Sequence, residues 1–232
     1  MANILIFSPH PDDAEICLGG LILTYSAKYS IKIIQMTNGE AATNGNMTVR
    51  IQEENESIRQ IENVKIEYLN IKDLNVNSNN YDQLRQVIEI IKKEKPSIIF
   101  LPSHNDFHID HREANILIRN SINIAGIGNR SLENTSMCHT CKLFFEYSAE
   151  LQLEANSIYI DVSKVYEDKR KLLDNFSSQL NPQNRAKTFL NIFLLQKIIA
   201  KDGYCGSLIQ TKYAEEIVPL MPIKLNDLFS LV

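Results

Sequence analysis

Two patterns of apolar and polar positions alternate along this chain. Short, continuous apolar runs are typical of buried strands, and they predict strands at 4–8, 31–37, 65–70, 97–102, 142–147 and 157–161. Between several of these runs, apolar residues recur at helical spacing; Ile16, Gly20, Leu23 and Ala27, for example, share one face of a helix. This spacing predicts helices at 13–29, 49–63, 81–95, 112–125, 164–176 and 184–201. A small, polar loop is expected at 41–48, and the tail from Tyr213 holds only short apolar pieces.

The order of these elements predicts the fold class. Strands and helices alternate through the first half of the chain, which indicates a mostly parallel sheet with helices on both faces, a Rossmann-like α/β fold. Because no repeat, low-complexity block or linker interrupts the sequence, we expect a single domain over 1–232. In such a sheet, ligands bind outside the carboxyl ends of the strands. Chemistry is therefore expected in the residues that directly follow each strand.

Composition and charge narrow the class of protein. The 232 residues include 24 Lys and Arg and 28 Asp and Glu, a net charge of −4, so bulk charge does not suit the chain to nucleic acid. No apolar stretch approaches the roughly 18 residues of a membrane span, and no secretory signal opens the chain. We therefore expect a soluble, cytoplasmic protein.

The four cysteines do not form the pattern of a disulfide-rich domain. Cys138 and Cys141 are spaced as Cys-x-x-Cys, which is typical of a structural zinc site or a redox pair. Because no second pair completes a four-ligand site, we interpret them as incidental thiols.

Histidines and acids cluster where the first and fourth predicted strands end. The first strand runs into Ser-Pro-His-Pro-Asp-Asp-Ala-Glu at 8–15, and the fourth into Ser-His-Asn-Asp-Phe-His-Ile-Asp-His at 103–111. A doubly wound sheet brings two such loops together at its switch point. Two histidines and one aspartate from separate loops form an open three-ligand set, as in catalytic zinc sites, and non-haem iron uses similar ligands. The first loop also lacks the Gly-x-Gly-x-x-Gly of dinucleotide-binding proteins.

These segments resemble the motifs of the PIG-L/LmbE family of zinc-dependent de-N-acetylases. The family's His-Pro-Asp-Asp-Glu followed by Gly-Gly corresponds to 10–20, where the acid comes one place late. Its Thr-Asp-Gly-Glu and Arg-x-x-Glu correspond to 37–40 and 50–53, and its Asp-x-His-x-Asp-His-Arg to 106–112. Weaker matches between 161 and 215 extend the resemblance over nearly the whole chain.

The resemblance implies a catalytic centre with a zinc ion, or with another divalent metal such as Fe²⁺. The implied ligands are His10, Asp13 and His111. Asp12 is then the general base that takes a proton from the attacking water, and protonated His108 stabilises the oxyanion. Either of these two residues could protonate the departing amine.

The resemblance also implies residues that support this centre. Asp110 is expected to hydrogen-bond the ring of His108, fixing its orientation and raising its pKa. Arg50, Asn38 and Glu40 are expected to bind the substrate, with Arg50 holding a sugar hydroxyl or a phosphate.

The implied reaction removes the N-acetyl group from an N-acetylglucosamine-type amino sugar, releasing acetate and a free amine. A soluble sugar conjugate or a nucleotide-sugar is the expected substrate. Two alternatives stay open: a metal-dependent amidase with a non-sugar substrate, and a catalytically inactive sugar- or nucleotide-binding protein. Family members often form trimers or hexamers, so the resemblance allows a homo-oligomer, although the sequence shows no interface.

Several of these residues have a purely structural alternative. Asp12 could cap the first helix, and Asp106 could be a loop acid that bonds backbone amides rather than one that orients a ligand. Glu15 could serve only the helix dipole, and His104 is expected at the rim of the pocket rather than on the metal. Arg50 could be part of an exposed helical ion pair.

Overall fold

The computed structural model describes residues 2–127, 141, 143–180 and 193–224, and it shows a sheet flanked by helices. The strands of this part of the chain are β1 (Ile4–Ser8), β2 (Ile31–Thr37), β3 (Val64–Ile71), β4 (Ile98–Pro102), β5 (Leu143–Tyr147), β6 (Ile158–Asp161) and β7 (Ala214–Pro219). The helices are α1 (Asp13–Ser26), α2 (Met47–Ile58), α3 (Tyr81–Glu94), α4 (Ile109–Gly126), α5 (Tyr166–Asp174), α6 (Ser177–Leu180) and α7 (Leu194–Leu208).

The strands form one sheet in the order β3-β2-β1-β4-β5-β7-β6. Neighbouring strands from β3 to β5 are parallel, and β7 runs antiparallel to both β5 and β6. The predicted mostly parallel α/β sheet is therefore confirmed. Because β1 lies between β2 and β4, the chain leaves β1 on one side and later returns on the other. That reversal is the switch point of the sheet.

The sheet separates two apolar layers, and β1 contributes to both. Ile4 and Ile6 face the layer that includes Leu18 of α1, whereas Leu5 and Phe7 face the layer built with α3 and α4. A strand that is buried on both faces has no polar side to show, which explains its continuous apolar sequence. No helix within the described ranges is both long and apolar enough to cross a membrane.

A buried ion-pair network fastens α1 to the second half of the chain. Nζ of Lys169, which is fully buried, lies 2.7 Å from Oδ2 of Asp202 and 2.8 Å from Oε1 of Glu215. The carboxylate of Glu215 also accepts hydrogen bonds of 2.7 Å each from the N–H groups of Gly20 and of the next residue. A Cβ at Gly20 would lie 2.6 Å from Cβ of Val162, so only glycine allows this close approach.

The tail of the chain differs from the prediction, because residues 214–219 form the strand β7 inside the sheet. The apolar pattern does not predict this strand because two acids, Glu215 and Glu216, interrupt it; both are buried. Glu216 accepts hydrogen bonds from the N–H groups of Gln152 and Leu153 and from the hydroxyl of Ser157. Buried carboxylates with such partners interrupt the apolar pattern without interrupting the strand.

Some helix ends also differ from the prediction. Helix α4 begins at Ile109 rather than 112, because Nδ1 of His108 accepts a hydrogen bond from the N–H of Asp110 and caps the helix. Helix α2 begins at Met47, where the side chain of Asn46 caps it, so the polar loop is shorter than expected. Helix α7 continues to Leu208, beyond the predicted end, and the first part of that predicted helix lies outside the described residues.

Candidate active site

The loops after β1 and β4 meet at the carboxyl edge of the sheet, at its switch point. His10 and Asp12 lie between β1 and α1, and Asp13 is the first residue of α1. His108 caps α4, and His111 lies in its first turn. Helix α4 thus carries one half of the predicted site towards the half carried by α1.

The three expected metal ligands converge on one point. Nδ1 of His10 lies 3.3 Å from Oδ2 of Asp13 and 3.2 Å from Nε2 of His111. Nε2 of His111 lies 3.1 Å from the same oxygen of Asp13. Donor atoms on a tetrahedral ion with bonds of about 2.0–2.1 Å are about 3.3–3.4 Å apart. The triangle of donors therefore has the size that one zinc-like ion requires, with a fourth position left open.

A third imidazole stands beside this triangle. The rings of His10 and His108 meet edge to face with their centroids 4.6 Å apart, and the rings of His108 and His111 are 5.3 Å apart. Nitrogens of the three histidines lie within 4.8 Å of one another. His108 is thus placed either to join the ligands or to contact a molecule bound next to them.

Opposite charges set the ionisation of the ligands. Burial would raise the pKa of Asp13, but the charge on His111 and hydrogen bonds from His10 and His111 hold it well below its usual range. Burial would lower the pKa of His111, but Asp13 and Asp106 raise it to about 9. Asp13 is therefore an anion at neutral pH. A cation that binds here has to displace protons from the imidazoles, so its affinity rises with pH.

Asp12 holds a strained backbone conformation at the start of α1. Its φ of 114° lies in the left-handed region, which residues with a Cβ rarely adopt. Its side chain makes no capping hydrogen bond, so helix capping does not explain why an aspartate stands there. The carboxylate is buried and lies 3.2 Å from Nη2 of Arg50. Burial raises the pKa of Asp12 to about 7, although the charge on Arg50 lowers it. A carboxylate with a pKa near neutrality is suited to accept a proton.

Asp106 contacts the ring of one expected ligand, His111. Its Oδ2 lies 3.0 Å from Nδ1 of His111, on the side of the ring that faces away from the donor triangle. Its Oδ1 accepts a hydrogen bond from the N–H of His108. A carboxylate behind a histidine ligand fixes the tautomer and the ring orientation. The contacts fit both interpretations open from the sequence, because Oδ1 bonds a backbone amide while Oδ2 lies behind the ring of His111.

The prediction that the Asp110 carboxylate accepts a hydrogen bond from the His108 ring is wrong. The carboxylate of Asp110 instead lies 3.2 Å from Nε2 of His10, and the backbone N–H of Asp110 is the group that bonds the His108 ring. The reason is that both residues belong to the start of α4, where His108 acts as the cap and the Asp110 side chain points behind His10. Burial, together with the charges on His10 and His111, lowers the pKa of His108.

Arg50 is buried between the loops after β1 and β2. Its Nη2 donates to the carbonyl oxygen of Pro11 at 2.6 Å, and its Nη1 donates to that of Gly39 at 3.4 Å. These contacts join the two loops and hold Asp12, so they do not support the expected binding of a substrate by Arg50.

Asn38 and Glu40, the other two expected substrate residues, lie at the edge of the site. The amide of Asn38 donates to Asn70, and Glu40 is exposed.

Other predicted residues fall as follows. His104 is exposed, and its Nδ1 lies 2.7 Å from Oε2 of the buried Glu146. Glu15 is fully buried, with no hydrogen-bond partner for either carboxylate oxygen among the described residues. Cys138 lies outside the described residues, so the structure does not test its pairing with Cys141.

One acid near the site was missed in the sequence, whereas Glu53 belongs to the Arg-x-x-Glu motif at 50–53. Asp73 follows β3 and lies 3.2 Å from Nε2 of His10. Its position just after a strand could have indicated a site residue. No other histidine or acid lies in the same loop to strengthen that indication. Glu53 accepts hydrogen bonds from the hydroxyl groups of Ser177 and Ser178 and so fixes the start of α6.

A family model described as GlcNAc-PI de-N-acetylase, or PIG-L, matches residues 5–122. The chain belongs to the PIG-L family. The matched part covers just over half of the chain and includes β1 to β4 with both halves of the donor triangle. The family expected from the motifs is therefore confirmed.

A curated relative of this PIG-L family protein is the diacetylchitobiose deacetylase of Thermococcus kodakarensis. The two are 28% identical over an alignment of 138 residues, and the match covers 55% of this chain and 51% of the relative. The chain thus spans about half the length of that relative.

Solved structures show that the chain shares its fold with known proteins over nearly its whole length. A conserved protein from Thermus thermophilus superposes with a TM-score of 0.83 at 22% identity, covering 97% of each chain. The diacetylchitobiose deacetylase of Pyrococcus horikoshii, solved with an inhibitor, gives 0.80 at 23% identity, covering 100% of this chain and 89% of its own. A 4-carboxy-2-hydroxymuconate hydratase from Pseudomonas putida also gives 0.80, at 15% identity, covering 98% of this chain and 100% of its own. Since the same fold carries a hydratase, the fold alone does not determine the reaction.

Proposed function

We propose that this protein is a metal-dependent hydrolase that removes the N-acetyl group from an N-acetylglucosamine-type amino sugar or its conjugate. The observation that carries the proposal is the donor triangle of His10, Asp13 and His111, with sides of 3.1–3.3 Å, next to the buried Asp12. Membership of the PIG-L family and the likeness to a diacetylchitobiose deacetylase support the substrate class. Zinc is the proposed metal, and Fe²⁺ is the alternative, since both accept two imidazoles and one carboxylate.

His10, Asp13 and His111 would hold the metal. When bound, a divalent ion supplies a Lewis acid that polarises an amide carbonyl and acidifies a water. Asp12 is poised to accept a proton from the attacking water, because its pKa of about 7 leaves much of it ionised at neutral pH. Cleavage of the amide C–N bond by water gives acetate and an amine. The amine nitrogen needs one proton to leave, and Asp12 then holds one.

His108 would serve the substrate rather than the metal. Its Nδ1 accepts a hydrogen bond from the backbone of Asp110, which leaves Nε2 as the nitrogen that can donate. A neutral imidazole that donates from Nε2 can hydrogen-bond the carbonyl oxygen as negative charge develops there. This assignment replaces the protonated histidine expected from the sequence, since His108 has a lowered pKa.

Acetate release from a panel of substrates tests the proposal. The zinc-loaded protein should release acetate from N-acetylglucosamine, N,N′-diacetylchitobiose or a glucosaminyl conjugate, and not from N-acetyl amino acids. Release from the amino acids alone would favour the non-sugar amidase. Sugar binding without release would favour the inactive binding protein.

Asp12→Asn provides the matched variant for the mechanism. It should retain one zinc ion per chain, because the three ligands remain, and should lose about 10²–10⁴-fold in kcat, because the base is gone. A variant with near-normal turnover would contradict the assigned role of Asp12.

A further inference from the structure

The second nitrogen of His10 faces away from the donor triangle towards two carboxylates. Nε2 lies 3.2 Å from Oδ1 of Asp73 and 3.2 Å from Oδ2 of Asp110. Both carboxylates are buried. When Nδ1 of His10 serves as a ligand, the ring proton resides on Nε2. That single N–H then has two acceptors at equal distance.

Asp73 also connects His10 to the loop that follows β2. Its Oδ2 accepts a hydrogen bond of 3.0 Å from the N–H of Ala41. In return, the N–H of Asp73 donates to Oε1 of Glu40 at 2.9 Å. This reciprocal pair of hydrogen bonds fixes the Asp73 carboxylate from the side opposite to His10. The position of the β2 loop is thereby linked to the position of the imidazole.

Asp110 holds the same segment from the other side. Its Oδ2 accepts from the N–H of Leu74 at 2.8 Å, and its Oδ1 accepts from the N–H of Val76 at 3.2 Å. Leu74 has a φ of 62°, a strained conformation for a residue with a Cβ. Backbone strain that places one N–H on a buried carboxylate indicates that the segment 73–76 has a required position behind His10.

We propose that Asp73 is a positioning residue for His10. It accepts the Nε2 proton, fixes the tautomer that leaves Nδ1 free to bind a metal, and holds the ring at the angle that the donor triangle requires. Carboxylates behind histidine ligands have this effect in other metal sites. The inference rests on the proposed function only in taking His10 as a metal ligand.

A second metal ion between His10, Asp73 and Asp110 is the competing interpretation, since their donor atoms lie within 4.8 Å of one another. The contacts favour the hydrogen bond instead. A second ion on Nε2 would require His10 to lose both ring protons. Three of the four carboxylate oxygens already accept backbone N–H groups.

The test compares the wild-type protein with Asp73→Asn and Asp73→Ala. Glu216→Gln is the matched control, because Glu216 is also a buried carboxylate that accepts backbone N–H groups but contacts no residue of the site. Zinc affinity is measured by competition with a chelator, zinc stoichiometry by equilibrium dialysis, and ligand geometry by the absorption spectrum of the Co²⁺-loaded protein. Both Asp73 variants should bind zinc about 10–100-fold more weakly and change the Co²⁺ spectrum. Glu216→Gln should shift only the urea midpoint.

Two results would overturn the inference. One is an unchanged zinc affinity and Co²⁺ spectrum in both Asp73 variants. The other is two zinc ions per wild-type chain and one in the variants, which would show a second metal site. Failure of the proposed function gives a different result, namely a wild-type protein that binds one zinc ion and releases no acetate. The Asp73 comparison is still decided in that case, since its readouts do not depend on turnover.

Discussion

Replacing Glu54 by glutamine should make the protein more stable, and increasingly so as the pH rises. Glu54 lies on α2 and is fully buried; Oε2 accepts a hydrogen bond of 2.8 Å from the hydroxyl of Tyr68, and Oε1 has no partner among the described residues. Burial raises the pKa of Glu54 to about 8, with the charge on Asp12 adding to the effect and the Tyr68 hydrogen bond opposing it. A buried carboxyl without a cationic contact remains protonated at neutral pH.

The sign and size of the effect follow from the difference in pKa between the folded and unfolded states. The unfolded chain releases this proton near pH 4.5 and the folded protein near pH 8. The folded state therefore binds more protons between these values, and its stability falls as the pH rises through that window. At about 1.36 kcal/mol per pH unit, the loss between pH 5 and pH 8 amounts to about 3 kcal/mol. Glutamine has no proton to release, so Glu54→Gln removes this loss.

Urea denaturation at pH 5, 6, 7 and 8, followed by circular dichroism at one fixed zinc concentration, measures the effect. The difference in unfolding free energy between Glu54→Gln and wild type should grow by about 3 kcal/mol over this range, since other titrating groups cancel in the difference. Glu56→Gln, an exposed change on the same helix, should show no such growth. A difference for Glu54→Gln that does not vary with pH would mean that the folded protein holds Glu54 ionised, and the reasoning from burial would be refuted.

Three further outcomes are expected. Lys169→Met should lower the unfolding free energy by about 3–5 kcal/mol, because two buried carboxylates lose their cation; an unchanged urea midpoint would show that the network contributes nothing. Gly20→Ala should cost about 1–3 kcal/mol, because its Cβ would lie 2.6 Å from Cβ of Val162. Gly126→Ala is the control, because a Cβ there would have no atom of the described residues within 4 Å, and equal thermal midpoints for the two variants would contradict the packing argument. The acid limb of the kcat/KM profile should lie at or below pH 7, because Asp12 has a pKa of about 7 and a bound cation lowers it; a limb above pH 8 would exclude Asp12 as the base.

The sequence predicted the first six strands and the place of the candidate site because both depend on local patterns. A strand buried on both faces, such as β1, is a continuous apolar run, and His10 and His111 directly follow or open elements at one sheet edge. Contacts that depend on tertiary placement could not be predicted. Asp73 is a single acid after β3. The residues next to it in the sequence give no sign that it lies close to His10 in the fold. The side chain of Asp110 points to His10 rather than His108 because α4 starts three residues earlier than the periodicity indicates.

Contacts from two distant parts of the chain hold the start of α1, where two residues of the candidate site lie. Asp12 and Asp13 both belong to the start of α1, and Asp12 is held at a φ of 114°, which costs about 1–3 kcal/mol. Such strain persists only where the surroundings fix the chain on both sides. Arg50 fixes one side through the carbonyl of Pro11, and Glu215 fixes α1 itself through backbone N–H groups in its second half. Because β7, which lies between β5 and β6, carries Glu215 to α1, a strand with no residue in the candidate site helps to position the proposed base and one proposed ligand.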